Sequence, residues 1–112
     1  MSEPVKPFDA GDEAQVKAKQ KKNRLAIQQR QDDLKAVMGT PAGRRHIWHV
    51  LEMAGVYSDT GHTDPVMIGR FLGRRSIGNE LLAELVSVCL PEYLLMESEA
   101  RNKQQKEEEA NG

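Results

Sequence analysis

The chain has 112 residues, a length that suits one small domain with extensions and argues against a second domain. Charged residues make up 29% of the sequence and hydrophobic residues 38%, so any core must be concentrated in one part of the chain. The net charge of -1 argues against a protein that binds polyanions over its whole surface. A single cysteine, Cys89, excludes an internal disulfide bond and a cysteine-based zinc cluster.

Apolar residues recur at helical spacing from Leu34 to Met96, whereas both ends of the chain contain few. We therefore predict a polar, basic and partly helical extension at 1–32, a helical core domain at 33–97 and an acidic polar tail at 98–112. Strand-like alternation is absent, so the predicted fold class is all-α. Two to three core helices form a small compact domain, and the long polar tails are helical or disordered. No apolar stretch is long enough to span a bilayer, and we expect a soluble protein.

Good helix formers predict a first helix that runs through residues 13–38, with Asp9 or Asp12 at its cap and Gly39 at its end. Three residues of its second half share one apolar face: Ile27, Leu34 and Met38. A capping side chain followed by proline marks the next two helix starts, at Thr40 with Pro41 and at Asp64 with Pro65.

Gly55 predicts the end of the second helix, and Pro91 predicts a break after which a fourth helix starts. The inward-facing residues expected on the third and fourth helices are Met67, Phe71, Gly78, Leu82, Leu85, Cys89, Tyr93, Leu94 and Met96.

The pattern Gly-Arg-Arg-X-Ile occurs twice, at residues 43–47 and 73–77. Both glycines lie inside predicted helices, where glycine costs about 1 kcal/mol relative to alanine, so the close approach of another helix is the favoured explanation. Gly69 shares the face of Gly73, and we expect a leucine at position 73 to overpack the crossing. The predicted helix-packing residues are Gly43, Gly69, Gly73, Ile47, Trp48, Leu51, Phe71, Ile77, Leu82 and Leu85.

The arginines of both copies are candidate ion-pair or partner contacts: Arg44, Arg45, Arg74 and Arg75. Carboxylates of the same chain, such as Glu80, Glu84 or Asp64, are favoured over phosphates as their partners. A separate basic run supplies candidate nucleic-acid contacts: Lys17, Lys19, Lys21, Lys22, Arg24 and Arg30. This run has no interleaved aromatic residues, and a solvated helix is the favoured interpretation.

No constellation in the sequence indicates catalysis. His46 and His49 are three residues apart, but their only further histidine is His62 in a predicted loop, so we predict no metal site. No nucleophile with a neighbouring base and no phosphate-binding glycine loop is present in the sequence. We therefore expect no catalytic residues, no cofactor and no enzymatic activity.

Two stretches together resemble a known family: LKAVMGTPAGRRHIWHVLEMAGVY at 34–57 and FLGRRSIGNELLAELVSVCLPEYLLMESEA at 71–100. This order of motifs is similar to that of small helical proteins that tailed bacteriophages encode, often beside head and portal genes. The resemblance implies a virion structural or assembly protein, associated with the head, the portal or ejection. It also implies residence in the virion, and in the host cytoplasm during assembly.

The partners expected from this resemblance are other virion proteins, with packaged DNA and a homo-oligomer as further candidates. The alternative function is a phage regulatory protein that binds nucleic acid through the basic segment at 17–30.

Overall fold

A computed structural model describes residues 10–112 of the chain. The four helices in this part are α1 (Ala10–Met38), α2 (Pro41–Met53), α3 (Pro65–Val88) and α4 (Leu90–Asn111). The described residues contain no strand, and the all-α prediction is confirmed. The chain divides into two compact units, Met1–Asp32 and Asp33–Gly112, so that α1 begins in the first unit and ends in the second.

Within the first unit, the described residues 10–32 form helix with mostly exposed side chains. Asp12 lies in the first turn of α1 rather than at its cap, and the alternative cap, Asp9, falls outside the described residues. The expectation that Ile27 is buried is wrong, since its side chain is 58% exposed.

The core of the second unit lies where α2, α3 and α4 meet and where the last turn of α1 joins them. Leu34, Ile47, Trp48, Ala54, Leu81 and Leu82 are partly buried against this core. Its buried members are Met38, Leu51, Val56, Leu85, Cys89, Tyr93 and Met96. All four helices therefore contribute to the core, together with Val56 from the turn after α2 and Cys89 from the junction of α3 and α4.

Helices α2 and α3 begin where their capping side chains predict. The hydroxyl oxygen of Thr40 accepts a hydrogen bond from the backbone N–H of Gly43 at 3.0 Å, and Pro41 occupies the first turn of α2. A carboxylate oxygen of Asp64 accepts from the N–H of Val66 at 3.1 Å. Both caps satisfy backbone donors that have no partner inside their helices.

The chain leaves α2 through a turn that requires glycine at position 55. Gly55 has a φ of 72°, and the N–H of Val56 reaches back to the carbonyl oxygen of Leu51 at 3.3 Å. A β-carbon on Gly55 would lie 2.7 Å from a ring carbon of Phe71. The turn therefore needs glycine for its backbone conformation and for its contact with α3.

Gly78 is the glycine at which α3 approaches a neighbouring segment most closely. A β-carbon at this position would lie 2.5 Å from a methyl group of Val56 and 2.6 Å from the β-carbon of Ala54. The end of α2 and the turn after it therefore lie directly against the backbone of α3. Sequence periodicity placed Gly78 on the inner stripe but did not indicate this contact.

Cys89 separates α3 from α4. The break predicted at Pro91 is present, and α4 begins at Leu90 with Pro91 in its first turn. Its N–H donates to the carbonyl oxygen of Leu85 at 2.9 Å, and its own carbonyl oxygen accepts from the N–H of Tyr93 at 3.0 Å. Two inward predictions near the ends of these helices are wrong, because Leu94 is 54% exposed and Met67 is 36% exposed.

After Ala100, α4 continues to Asn111 with every side chain exposed. Hydrogen bonds between residues four apart, such as Gln104 to Glu108 at 3.3 Å, lie along this segment. Across residues 10–112, we find no helix with the length and apolar character that a bilayer crossing requires.

Substituting Gly78 by alanine tests the close contact between α3 and the turn after α2. We expect Gly78→Ala to lower the free energy of unfolding by about 1–3 kcal/mol, because the new methyl group overlaps Ala54 and Val56. Gly69→Ala is the matched control on the same helix. Its methyl group meets open space, so helix propensity alone predicts stabilisation by about 1 kcal/mol.

Urea denaturation of dilute protein, followed by circular dichroism, gives both values. Equal effects of the two substitutions would contradict the close contact at Gly78.

Candidate interaction surfaces at the two Gly-Arg-Arg elements

In the first Gly-Arg-Arg element, Arg44 is a buried residue that joins three helices. Its Nε donates to Oε1 of Glu99 on α4 at 2.6 Å, and a second guanidinium nitrogen lies 3.4 Å from the other carboxylate oxygen. The remaining nitrogen donates to the carbonyl oxygen of Met38, the last residue of α1, at 3.0 Å. The side chain of Arg44 is only 10% exposed, whereas that of Glu99 is 38% exposed.

Gly43 brings Arg44 to this position. A β-carbon on Gly43 would lie 2.7 Å from the carbonyl carbon of Val37, so the first turn of α2 lies against the last turn of α1. The following residue, Arg44, then reaches the carbonyl group that ends α1 and caps it with a positive charge.

Sequence reasoning missed Glu99 as the partner of Arg44. The acids that we predicted for the arginines lie on α3 or at its cap, whereas Glu99 lies on α4. A usable signal exists, because Tyr93, Met96 and Glu99 are spaced by three and continue one helical stripe. An acid that continues an apolar stripe is a candidate for pairing with a buried base.

A groove of about 350 Å³ lies between α2 and α4 beside this ion pair. Arg45, His49 and Lys103 supply basic groups to its walls, and Glu52 and Glu99 supply acids. Trp48 also lines it. The mixture of charges does not select one sign of ligand, and Arg45 itself is exposed.

Three aromatic residues fix the turn after α2 to the rest of the unit. The rings of Trp48 and Tyr57 stack with their centroids 4.9 Å apart and an angle of 22° between their planes. The hydroxyl groups of Tyr57 and Tyr93 lie 2.8 Å apart and share a hydrogen bond. Burial, this hydrogen bond and the nearby charges of Tyr93 and Glu97 raise the pKa of Tyr57 well above its ordinary value.

In the second Gly-Arg-Arg element, Gly73 and Ile77 lie away from the side of α3 that faces the core. At about 3.6 residues per turn, Gly73 lies roughly 140–160° around the helix from the buried residues Phe71 and Gly78, and Ile77 lies roughly 100–120° from them. A β-carbon on Gly73 or Gly69 would meet no atom within 4 Å. The helix crossing that we predicted at these glycines is therefore not made by the described part of this chain.

The prediction that Ile77 belongs to the core is also wrong for the single chain, because its side chain is 71% exposed. Our expectation that a leucine at position 73 would overpack the fold fails for the same reason, since the space there is open. The other predicted packing residues lie in or against the interior: Leu51, Phe71 and Leu85 are buried, and Ile47, Trp48 and Leu82 are partly buried.

The arginines of the second element also differ from Arg44. Arg74 is exposed and forms no ion pair within the described part of the chain. Arg75 places its guanidinium carbon 5.9 Å from the centre of the Phe71 ring, which is a cation–π distance. One sequence pattern thus supplies a buried structural contact on α2 and an exposed surface on α3.

The predicted nucleic-acid residues all lie on α1 and are exposed. Lys17, Lys21 and Arg24 share one face of the helix, at spacings of four and three. Lys17 also pairs with Glu13 at 3.2 Å, which offsets part of the positive charge of this face.

His46 and His49 lie on α2 with exposed side chains. The part of the chain that the structure describes contains no cluster of three or more His, Cys, Asp or Glu residues with metal-binding geometry. Cys89 is buried, with 2% of its surface exposed, and burial together with the nearby Glu92 and Glu84 raises the pKa of its thiol. The thiol therefore stays protonated and acts as a small apolar side chain of the core.

The fold and these surfaces define a small all-α protein whose accessible surfaces are helix faces and shallow grooves. A family model described as Bbp19-like phage protein matches residues 34–97, which is more than half of the chain. The chain belongs to this family of phage proteins. No curated protein and no solved structure matches it.

The pairing of Arg44 with Glu99 predicts a large difference between two glutamates of α4. We expect Glu99→Ala to lower the free energy of unfolding by about 2 kcal/mol, because it leaves the buried guanidinium group of Arg44 without its carboxylate. The control is Glu97→Ala, whose partner Arg101 is 75% exposed and whose loss costs about 0.5 kcal/mol. Urea denaturation measures both, and equal losses would contradict the buried pair.

The raised pKa of Tyr57 predicts a loss of stability in alkaline solution. The unfolded chain ionises tyrosine near its ordinary pKa of about 10, whereas the folded chain holds the Tyr57 proton to higher pH. The stabilisation is fully present below pH 10 and is lost as the pH rises toward the folded-state pKa. We expect the free energy of unfolding to fall more steeply above pH 10 in the wild type than in Tyr57→Phe. Parallel slopes in urea denaturation would show that the proton of Tyr57 is not held by the fold.

Proposed function

We propose that this protein is a non-enzymatic component of the phage virion, or a factor that helps to build the virion, and that it acts through contacts made by helix faces. The observation that carries the proposal is the outward-facing second Gly-Arg-Arg element on α3. There a regular helix presents the exposed apolar side chain of Ile77 next to arginines that have no ion-pair partner within the described residues. Membership in a phage protein family supports the setting.

The distribution of exposed apolar residues supports protein contacts. Val66, Leu72 and Ile77 on α3 are each more than half exposed, as is Leu94 on α4. Single exposed apolar residues are ordinary, but several on one helix are typical of surfaces that bind another protein. Residues of this type would be covered when the protein is incorporated into a larger assembly.

The proposed partners are other virion proteins of the head, the portal or the ejection apparatus. The proposed location is the virion, with passage through the host cytoplasm during assembly. Arg44 has no role in these contacts, because its charge is already neutralised inside the fold by Glu99. Of the four arginines in the Gly-Arg-Arg elements, Arg45 and Arg74 remain exposed for a partner.

The alternative function is nucleic-acid binding by the first half of α1. The observation that favours it is the shared face of Lys17, Lys21 and Arg24, which would follow a phosphate backbone without reading its sequence. Glu13 weakens this face through its pair with Lys17. A regulator of this type would act in the infected cell and would be absent from the finished particle.

Mass spectrometry of purified, nuclease-treated phage particles tests the proposal. We expect this chain in a fixed ratio to the portal subunit, because a structural component occupies a defined number of sites. A matched phage that carries Lys17→Gln, Lys21→Gln and Arg24→Gln should retain the same ratio if helix faces of the second unit hold the protein in place.

Absence from particles would contradict a built-in component. Absence combined with nucleic-acid affinity that falls steeply between two salt concentrations, and that the triple variant abolishes, would establish the alternative.

A further inference from the structure

We propose that the outer face of α3 is a contact between two copies of this chain, in which the two α3 helices pack antiparallel around a twofold axis. The α3 outer face consists of Val66, Gly69, Arg70, Gly73, Ile77 and Glu80. The inference deepens the proposed function by naming one partner. It depends only on the shape and charge of this face, so it is testable with the purified protein alone.

The first argument is the complementary shape of Gly73 and Ile77. Ile77 is the most exposed of the large hydrophobic residues in the described chain, and Gly73 leaves open space one helical turn away on the same face. Met67, Arg70 and Arg74 complete a shallow groove of about 550 Å³ around these two residues. The face therefore carries one protruding side chain and one depression that is open to receive a side chain.

A twofold axis at the level of residue 75 brings the protrusion and the depression together. In an antiparallel pair with this axis, Ile77 of each copy lies opposite Gly73 of the other copy. The same residues are used twice, so a single face is sufficient to complete the contact. Glycine at a helix crossing allows the two backbones to approach closely, and Gly69 widens the surface that is open to the second helix.

The second argument is the distribution of charge along α3. Its first half carries Arg70, Arg74 and Arg75 and no acid, whereas its second half carries Glu80 and Glu84 and no base. An antiparallel pair places the basic half of each helix beside the acidic half of the other, with Arg70 at the level of Glu80. A parallel pair would place like charges side by side, so charge selects the antiparallel arrangement.

The third argument is that Arg70, Arg74 and Glu80 have no ion-pair partners in the described part of the chain. Their charges are free to pair with a second copy without breaking contacts that the fold already uses.

The small size of the core in each chain also favours association, because a second copy would cover apolar surface that a core of this size leaves exposed.

Sedimentation equilibrium of the full-length chain over a range of concentrations tests the proposal. We expect a reversible monomer–dimer equilibrium, with a dissociation constant that rises at least about tenfold in Ile77→Asp. Leu94→Asp is the matched control, because it adds the same charge at an exposed leucine on α4. Gly73→Leu should also weaken the dimer by filling the depression, and circular dichroism should show that each variant remains helical.

A charge exchange tests the antiparallel orientation. Arg70→Glu should weaken the dimer, and the double variant with Glu80→Arg should restore it, because each arginine again faces a glutamate of the other copy. A chain that is monomeric at every concentration would overturn the proposal, as would a dimer that tolerates Ile77→Asp. Either result would leave the virion proposal standing, since that proposal is tested on particles.

Discussion

The second unit of this protein depends on the buried guanidinium group of Arg44. Desolvating a positive charge is costly unless hydrogen bonds compensate, and here the carboxylate of Glu99 and the carbonyl oxygen of Met38 supply them. These contacts connect the end of α1, the start of α2 and the middle of α4. Since each partner lies on a different helix, Arg44 fixes the relative positions of these helices. It therefore contributes more to the stability of the unit than an ion pair within one helix would.

Two close contacts at glycines accompany the Arg44 interaction and position the remaining helices of the unit. Gly43 lets the first turn of α2 lie against the end of α1, and Gly78 lets α3 lie against the turn after α2. The turn itself is held by the stack of Trp48 on Tyr57 and by the hydrogen bond between Tyr57 and Tyr93. The inner surfaces of the helices are thus occupied by packing, and the surfaces that remain for partners are the outer faces.

The two Gly-Arg-Arg elements show how one short pattern acquires two roles. On α2 the pattern begins beside the end of another helix, so its first arginine is enclosed. On α3 the buried residues are Phe71, Gly78 and Leu85. Because the helix has about 3.6 residues per turn, Gly73 and Ile77 then lie on its exposed side. The same pattern is therefore structural on α2 and a candidate interface on α3, because the two helices are rotated differently relative to the core.

Local sequence signals by themselves determined the all-α class, the caps at Thr40 and Asp64 and the glycine turn at Gly55, because these depend on neighbouring residues along the chain. The tertiary structure alone decided which arginine is buried, that Glu99 is its partner, and that Ile77 faces outward. These outcomes depend on how helices distant in sequence are rotated against one another. A periodic pattern identifies one face of a helix, but only the packing of the whole unit decides what that face meets.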